Sequence, residues 1–315
     1  MTEPLPAAPT PDAPVAPYSP RRIAHSHWID ARGLRMHLHA WGDPAAVTDD
    51  APLRVMVHGW MDMGASFQFV VDALDDDRPV VAPDWRGFGL TEARTDAYWF
   101  PDYLGDLDAM LDVLSPGRPV DLIGHSMGGN VAMAYAGVRP ARIRRLVNLE
   151  GFGLPDNRPD EAPARLARWL DELKTPQTLK PYASVTAVAD RLRANNPRLS
   201  PDKAAWLAAQ WSAQKTDGRW HLRADGAHKR VNPALYRVEE VLAIWRRITA
   251  PTLWIEGEQT RPPPSWVSRY TREDFDARLA VVPQLQRCVL EGAAHMLHHD
   301  QPEALAERLG SFLRG

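Results

Sequence analysis

Val120-Asp121-Leu122-Ile123-Gly124-His125-Ser126-Met127-Gly128-Gly129 carries the reading of this chain. A short apolar strand, Val120 to Ile123, leads into a serine flanked by glycines, and a helical pattern opens near Met127. With 20 glycines in 315 residues, a G-x-S-x-G pattern arises by chance roughly 0.04 times, before a strand ahead and a helix behind are required. The glycines allow a turn sharp enough to hold Ser126 in a strained conformation, with its hydroxyl exposed above a helix N-terminus. Ser126 is therefore the candidate nucleophile, and the Met127 N-H is placed to receive an oxyanion.

Working outward, short apolar runs recur at Leu34 to Trp41, Leu53 to Val57, Pro79 to Ala82, Ile143 to Leu149, Thr252 to Ile255 and Arg287 to Leu290. Helical spacing separates several of them, at Tyr103 to Leu114, Met127 to Val138 and Glu303 to Leu313. Such alternation predicts an α/β fold with a mostly parallel sheet covered by helices on both faces. It breaks after Leu149, where about a hundred residues pass before the next strand. That interval reads as helices over Ala162 to Leu173, Ser184 to Ala194, Pro201 to Gln214 and Pro233 to Ile248, with Pro and Asn-Pro breaks between them. It carries Trp169, Trp206, Trp211, Trp220 and Trp245, most of them expected in packing and one or two against a pocket.

A serine hydroxyl needs a base. Among eleven histidines, His295 follows the last strand and precedes the final helix, the loop position where open α/β sheets place their sites. His298 and His299 read as surface or loop residues. His125 is fixed on the turn beside the nucleophile, and His58 is expected to order its own loop. In that loop, His58-Gly59-Trp60-Met61, the Trp60 N-H is the second candidate oxyanion donor, which would set its indole beside the acyl site.

These segments resemble the α/β-hydrolase superfamily from about His25 onward. The His-Gly-Trp loop, the Asp84-Trp85-Arg86-Gly87-Phe88-Gly89 turn, the Gly-His-Ser-Met-Gly-Gly elbow and the Gly-Ala-Ala-His segment follow the family's order. The resemblance implies an α/β-hydrolase core over 25–152 and 248–315, with a helical cap over 153–247 like that of epoxide hydrolases and haloalkane dehalogenases. Those relatives use an aspartate at the elbow; serine at 126 implies acyl transfer to serine, as in serine-hydrolase-like proteins and carboxylesterases. The family commonly places its acid three residues after the glycine ending the seventh strand, but here that residue is Thr260. The alternative place, the end of the sixth strand, holds Glu150, which becomes the expected acid, ahead of Glu258 and Glu256. Asp84 and Arg86 read as braces for neighbouring loops.

The implied activity is hydrolysis of a small apolar ester or similar acyl compound, without metal or cofactor. Carbon-carbon bond hydrolysis of a diketone-type substrate, and ligand binding without turnover, stand as alternatives. A net charge of -3 offers no reason for a nucleic-acid partner, and no apolar run suits a bilayer. The single cysteine, Cys288, reads as a buried strand residue and suits a reducing, cytoplasmic setting. Residues 1–24, rich in Pro and Ala without a basic start and apolar stretch, read as a mobile tail and not a secretory leader.

Overall fold

The computed structural model describes residues 16–48, 50–93 and 97–315. Among these residues ten strands form two sheets: β1 His25–Ala31, β2 Leu34–Trp41, β3 Arg54–Val57, β4 Val80–Pro83, β5 Val120–His125, β6 Ile143–Leu149, β7 Ser212–Gln214, β8 Trp220–Leu222, β9 Thr252–Gly257 and β10 Leu285–Leu290. The main sheet runs in the order β1-β2-β4-β3-β5-β6-β9-β10. β1 and β2 are antiparallel to each other, β2 is antiparallel to β4, and the remaining pairs are parallel. Parallel strands need crossovers, and helices between the strands supply them: α1 Gln68–Ala73, α2 Phe100–Leu114, α3 Met127–Val138, α4 Ala162–Leu173, α5 Val185–Asn195, α6 Pro201–Trp211, α7 Val238–Trp245 and α8 Arg272–Leu279; α9 Leu297–Asp300 and α10 Pro302–Arg314 follow the last strand.

The pleat sorts side chains to two cores. From β3 and β5, Val55, Val57 and Leu122 join α2, α3 and α8 through Leu107, Val131 and Phe275. Met56 and Ile123 point the other way, to α1 and α10 through Val70, Leu305 and Leu309. Each such leucine or valine removed from water contributes about 1.5–3 kcal/mol, which is why the central strands read as continuous apolar runs. Parallel register aligns the strand ends: Gly124 lies opposite Asn148, and Leu149 opposite Ile255. The loops after β5, β6, β9 and β10 therefore open on one edge of the sheet.

Several sequence expectations change. β1, with polar His25, His27 and Asp30 on an edge strand, carries too weak an apolar alternation to be read and was not anticipated. The helix expected to reach Gln214 ends at Trp211, and an antiparallel hairpin of β7 and β8 follows. The helix expected over Pro233 to Ile248 forms only over Val238–Trp245. It packs on the core and not above it: Trp245 joins the α2/α3 side, and Gly137 of α3 leaves no room for a Cβ against the Ile244 carbonyl. In the cap interval, α5 and α6 instead close over Phe69 through Val188, Leu192 and Leu207.

Residues 1–15 of the expected tail lie outside the described residues, but the last part of that tail is anchored. Tyr18 donates a hydrogen bond to Asp72 at 2.8 Å, and the Arg22 N-H donates to the same carboxylate at 2.7 Å. The Tyr18 ring also packs edge-on against Phe69. Cys288 is only partly buried: it packs at the margin of the α1/α10 core from β10, the edge strand of the sheet. Among the described residues no helix is long and apolar enough to cross a membrane.

Candidate active site

The turn between β5 and α3 holds Ser126 at φ 51°, ψ -114°, a conformation that costs a non-glycine residue about 1–3 kcal/mol. The surrounding packing sustains it. A Cβ on Gly128 would drive into the Val57 carbonyl, and one on Gly124 into the Gly128 carbonyl, so both elbow glycines are required by close backbone approach. The Ser126 N-H is fixed to the Leu149 carbonyl at 2.8 Å.

Across the sheet edge, the His295 Nε2 lies 3.0 Å from Ser126 Oγ. Its Nδ1 lies 3.1 Å from Glu150 Oε2. Among the described residues the acceptor offered to Nδ1 is a carboxylate, so that nitrogen carries the hydrogen and Nε2 is left to accept from the serine hydroxyl. Glu150 is buried and sits at φ 62°, with its N-H held by the Ile255 carbonyl at 3.1 Å. Its other oxygen, Oε1, accepts from the Gly257 N-H at 2.5 Å and the Thr260 hydroxyl at 2.8 Å. Thr260, at the position where the family resemblance implies an acid, thus donates to Glu150. Residues 126, 150 and 295 are brought together from three separate loops.

The other carboxylates considered from sequence do not join them. Glu256 pairs with Arg272 at 2.8 Å and accepts from the Trp254 indole at 3.1 Å. Glu258 accepts from the Gly292 N-H at 3.1 Å.

The loop after β3 closes the opposite side of Ser126. A Cβ on Gly59 would come within 3.1 Å of the Ser126 Cβ, so the backbone leading to Trp60 passes directly beside Ser126. Met127 opens α3, where the first-turn amides have no helical acceptor. The Trp60 indole is half-exposed and donates to the His228 carbonyl of the cap interval at 3.2 Å. His228 is stacked between Phe88 and Tyr98, at 3.7 and 3.6 Å between ring centres. Burial lowers its pKa to about 3, so this clamp across Trp60 is made by a neutral ring.

His58 orders its loop. Its Nδ1-H donates to the Gly59 carbonyl at 2.8 Å, its Nε2 accepts the Trp85 N-H at 3.0 Å, and the Trp85 indole returns to the His58 carbonyl at 3.0 Å. Desolvation by burial holds its pKa below that of a free imidazole. His125 points away from Ser126 and donates its Nε2-H to the His295 carbonyl at 2.8 Å, tying the two loops; burial holds it well below the usual imidazole range. Arg86 makes two 2.6 Å bonds to Asp106. Asp84 accepts from His37 at 2.8 Å and from the Gly64 and Leu90 N-H groups at 2.9 and 3.0 Å.

The reading of His298 and His299 as surface residues is wrong. Both are buried, because α9 turns them back under the sheet edge against Phe67 and Phe69. Sequence reasoning also missed Asp62, which lies 3.6 Å from His298, and the contact of Ser26 with His37 at 2.9 Å. The available signal was the histidine pair following His295 at helical spacing, which places one of them on the inner face.

The fold and this edge define a hydrolase of the α/β class. The profile of the α/β hydrolase fold family matches residues 53–302, and the chain belongs to that family. It is similar to a 3-hydroxybutyrate-oligomer hydrolase of Cupriavidus necator, 31% identical over 252 residues, spanning 76% of this chain and 82% of that protein. A serine hydrolase-like protein of Danio rerio is 25% identical, over 82% of this chain and 80% of its own. Among solved structures, the thioesterase domain from the curacin biosynthetic pathway superposes with a TM-score of 0.78 at 25% identity, covering 91% of this chain and 99% of that one.

Proposed function

We propose that this hydrolase cleaves carboxylic esters through an acyl-enzyme on Ser126, with His295 as base and Glu150 as the acid that orients it. The observation carrying the reading is the pair of contacts of His295, 3.0 Å to Ser126 Oγ and 3.1 Å to Glu150 Oε2. In the proposed cycle Ser126 Oγ attacks the carbonyl carbon while His295 Nε2 takes the hydroxyl proton. The Trp60 and Met127 N-H groups receive the carbonyl oxygen as it becomes an oxyanion. The C-O bond then breaks, and His295 delivers its proton to the leaving alcohol. Water, deprotonated in turn by His295, attacks the acyl carbon; the bond to Ser126 Oγ breaks, His295 returns its proton to that oxygen and the acid leaves, so the chemistry balances with water alone.

Throughout, Glu150 keeps the imidazole in the productive tautomer and stabilises its charged form. The substrate class follows from the surroundings. Trp60, Met61 and the tryptophan-bearing cap interval favour a small apolar ester, and the printed activity of the Cupriavidus relative adds short hydroxy-acid oligoesters. The test is hydrolysis of an ester series of rising acyl length, together with 3-hydroxybutyrate oligomers, by the wild-type protein. Measurable turnover with preference for apolar acyl groups is expected. Turnover confined to diketone-type ring-cleavage products would overturn the ester reading.

A further inference from the structure

Behind the elbow, on the side of the sheet edge away from Ser126 Oγ, Asp62, His125 and His298 converge in the interior. One ligand atom from each lies within 4.8 Å of the other two, and all three residues are buried. Their arrangement leaves polar capacity unused. Asp62 Oδ1 accepts from the Met63 N-H at 2.7 Å and from Ser66, but Oδ2 accepts no hydrogen bond among the described residues. His125 spends its one ring N-H on the His295 carbonyl, which leaves Nδ1 as a bare lone pair with no donor. Neither ring nitrogen of His298 makes a hydrogen bond among the described residues, and its Nε2 faces Asp62 Oδ2 at 3.6 Å.

Leaving a buried polar group unsatisfied costs about 1–3 kcal/mol, so three converging vacant groups in a well-packed interior require an explanation. A shared occupant supplies one. Two imidazole nitrogens and a carboxylate oxygen form the borderline donor set that suits zinc and its transition-metal neighbours, and not calcium or magnesium. Zinc bonds of about 2.0–2.2 Å in tetrahedral geometry put ligand atoms roughly 3.3–3.5 Å apart. The 3.6 Å between His298 Nε2 and Asp62 Oδ2 is already close to that spacing. The hydrogen bond from His125 Nε2 to a carbonyl is the outer contact that metal-bound histidines commonly make. On the cap side a small cavity lined by Met61, Met63, Trp211 and Leu222 borders Asp62.

A second cluster sharpens the choice. His37, His39 and Asp84 also bring three ligand atoms together; His39 Nε2 makes no hydrogen bond there, but the other two members are already engaged. Both His37 nitrogens are bonded, to Asp84 and Ser26, and both Asp84 oxygens accept from backbone N-H groups. An ion at that place would have to break existing bonds; at Asp62, His125 and His298 it would complete missing ones.

We propose that Asp62, His125 and His298 form a binding site for a zinc-class divalent transition-metal ion. The test is a titration of the full chain, stripped with EDTA, with ZnCl2 by calorimetry and thermal melting. Wild type is expected to bind one equivalent and to gain about 3 °C or more in Tm at saturating ion. His298→Gln and Asp62→Asn should lose that binding, whereas His295→Gln and His37→Gln should keep it. No saturable binding to wild type, which would mean that a shared proton fills the cluster, overturns the proposal. So does loss of binding only in His295→Gln or His37→Gln. Should His298→Gln and Asp62→Asn fail to fold, anomalous diffraction at the zinc edge from wild-type crystals decides it, with a peak between residues 62, 125 and 298 expected and a peak elsewhere, or none, contrary.

Discussion

Two serine-histidine-carboxylate chains lie within this one fold. In the first, Ser126, His295 and Glu150 are linked at 3.0 and 3.1 Å. In the second, Ser26, His37 and Asp84 are linked at 2.9 and 2.8 Å, with the same two histidine nitrogens in the same roles. By distance alone the second is the tighter. Their surroundings differ. The His295 side chain is 48% exposed, while that of His37 is 1% exposed and is covered by the Trp28 and His39 rings at 4.8 and 4.7 Å. Ser126 sits strained at a helix N-terminus; Ser26 is an extended residue of β1 paired with His39 of β2. The contrast teaches that hydrogen-bond geometry makes a relay but not an active site. A substrate must reach the histidine, and donors must wait for the charge that develops on its carbonyl.

Removing each serine tests that contrast most directly. Ser126→Ala should lower ester hydrolysis by on the order of 10⁴-fold or more, with an unchanged circular dichroism spectrum. Ser26→Ala should change it by less than about twofold, since an exposed strand hydroxyl is lost far from the developing charge. A fluorophosphonate probe followed by peptide mass spectrometry should label Ser126 alone. A labelled Ser26 would erase the distinction drawn between the two chains.

The carboxylates should separate activity from stability. Glu150→Gln keeps the shape but removes the charge that stabilises imidazolium, so kcat should fall by roughly 10² to 10⁴ with KM little altered. Glu258→Gln and Glu256→Gln should each cost less than about tenfold in kcat, as neither carboxylate bonds to His295. Asp84→Asn should instead cost about 2–4 kcal/mol of stability, through the hydrogen bonds to the buried charge, measured by denaturant unfolding, while folded protein keeps most of its kcat. Burial alone would raise the Asp84 carboxyl, but hydrogen bonds from His37 and His39 outweigh it and hold it far below the usual carboxylate range. A depressed folded pKa gives stability that is present above the unfolded pKa, about 4, and lost as pH falls toward the folded one. Wild type should therefore lose stability below about pH 4 more steeply than Asp84→Asn.

The elements that could be read from sequence are those with strong local signals. The elbow was legible because glycine, serine and glycine sit between a strand and a helix, and backbone clashes at Gly124 and Gly128 leave no substitute. His295 was legible from its place after the last strand, and Glu150 only through the absence of an acid at Thr260. What stayed hidden depends on pairing across the fold. β1 is recognisable as a strand only when β2 lies beside it, and the hairpin of β7 and β8 was absorbed into the helical pattern before it. The inward turn of His298 and its meeting with Asp62 join residues whose separation of over two hundred positions leaves no local trace.

Thr260 offers the finest version of the comparison, because Glu150 and Asp84 are both held by donors besides their histidine. Asp84 has two backbone N-H groups that no side-chain change removes. Glu150 Oε1 has one, from Gly257, and depends on the Thr260 hydroxyl for the second. Thr260→Val keeps the volume and deletes that donor. A hydrogen bond to a charged group contributes about 1.5–3 kcal/mol, but the Gly257 bond remains, and only the part that differs between ground and transition states reaches the rate. The expected outcome is a fall in kcat of about threefold to tenfold with unchanged KM, and recovery to near wild type in Thr260→Ser, whose hydroxyl can reach the same oxygen. A purely structural role for Thr260 gives a different pattern, in which Thr260→Val lowers Tm and leaves the kcat of folded protein as it was. Steady-state kinetics beside thermal melting of the two variants distinguishes these outcomes.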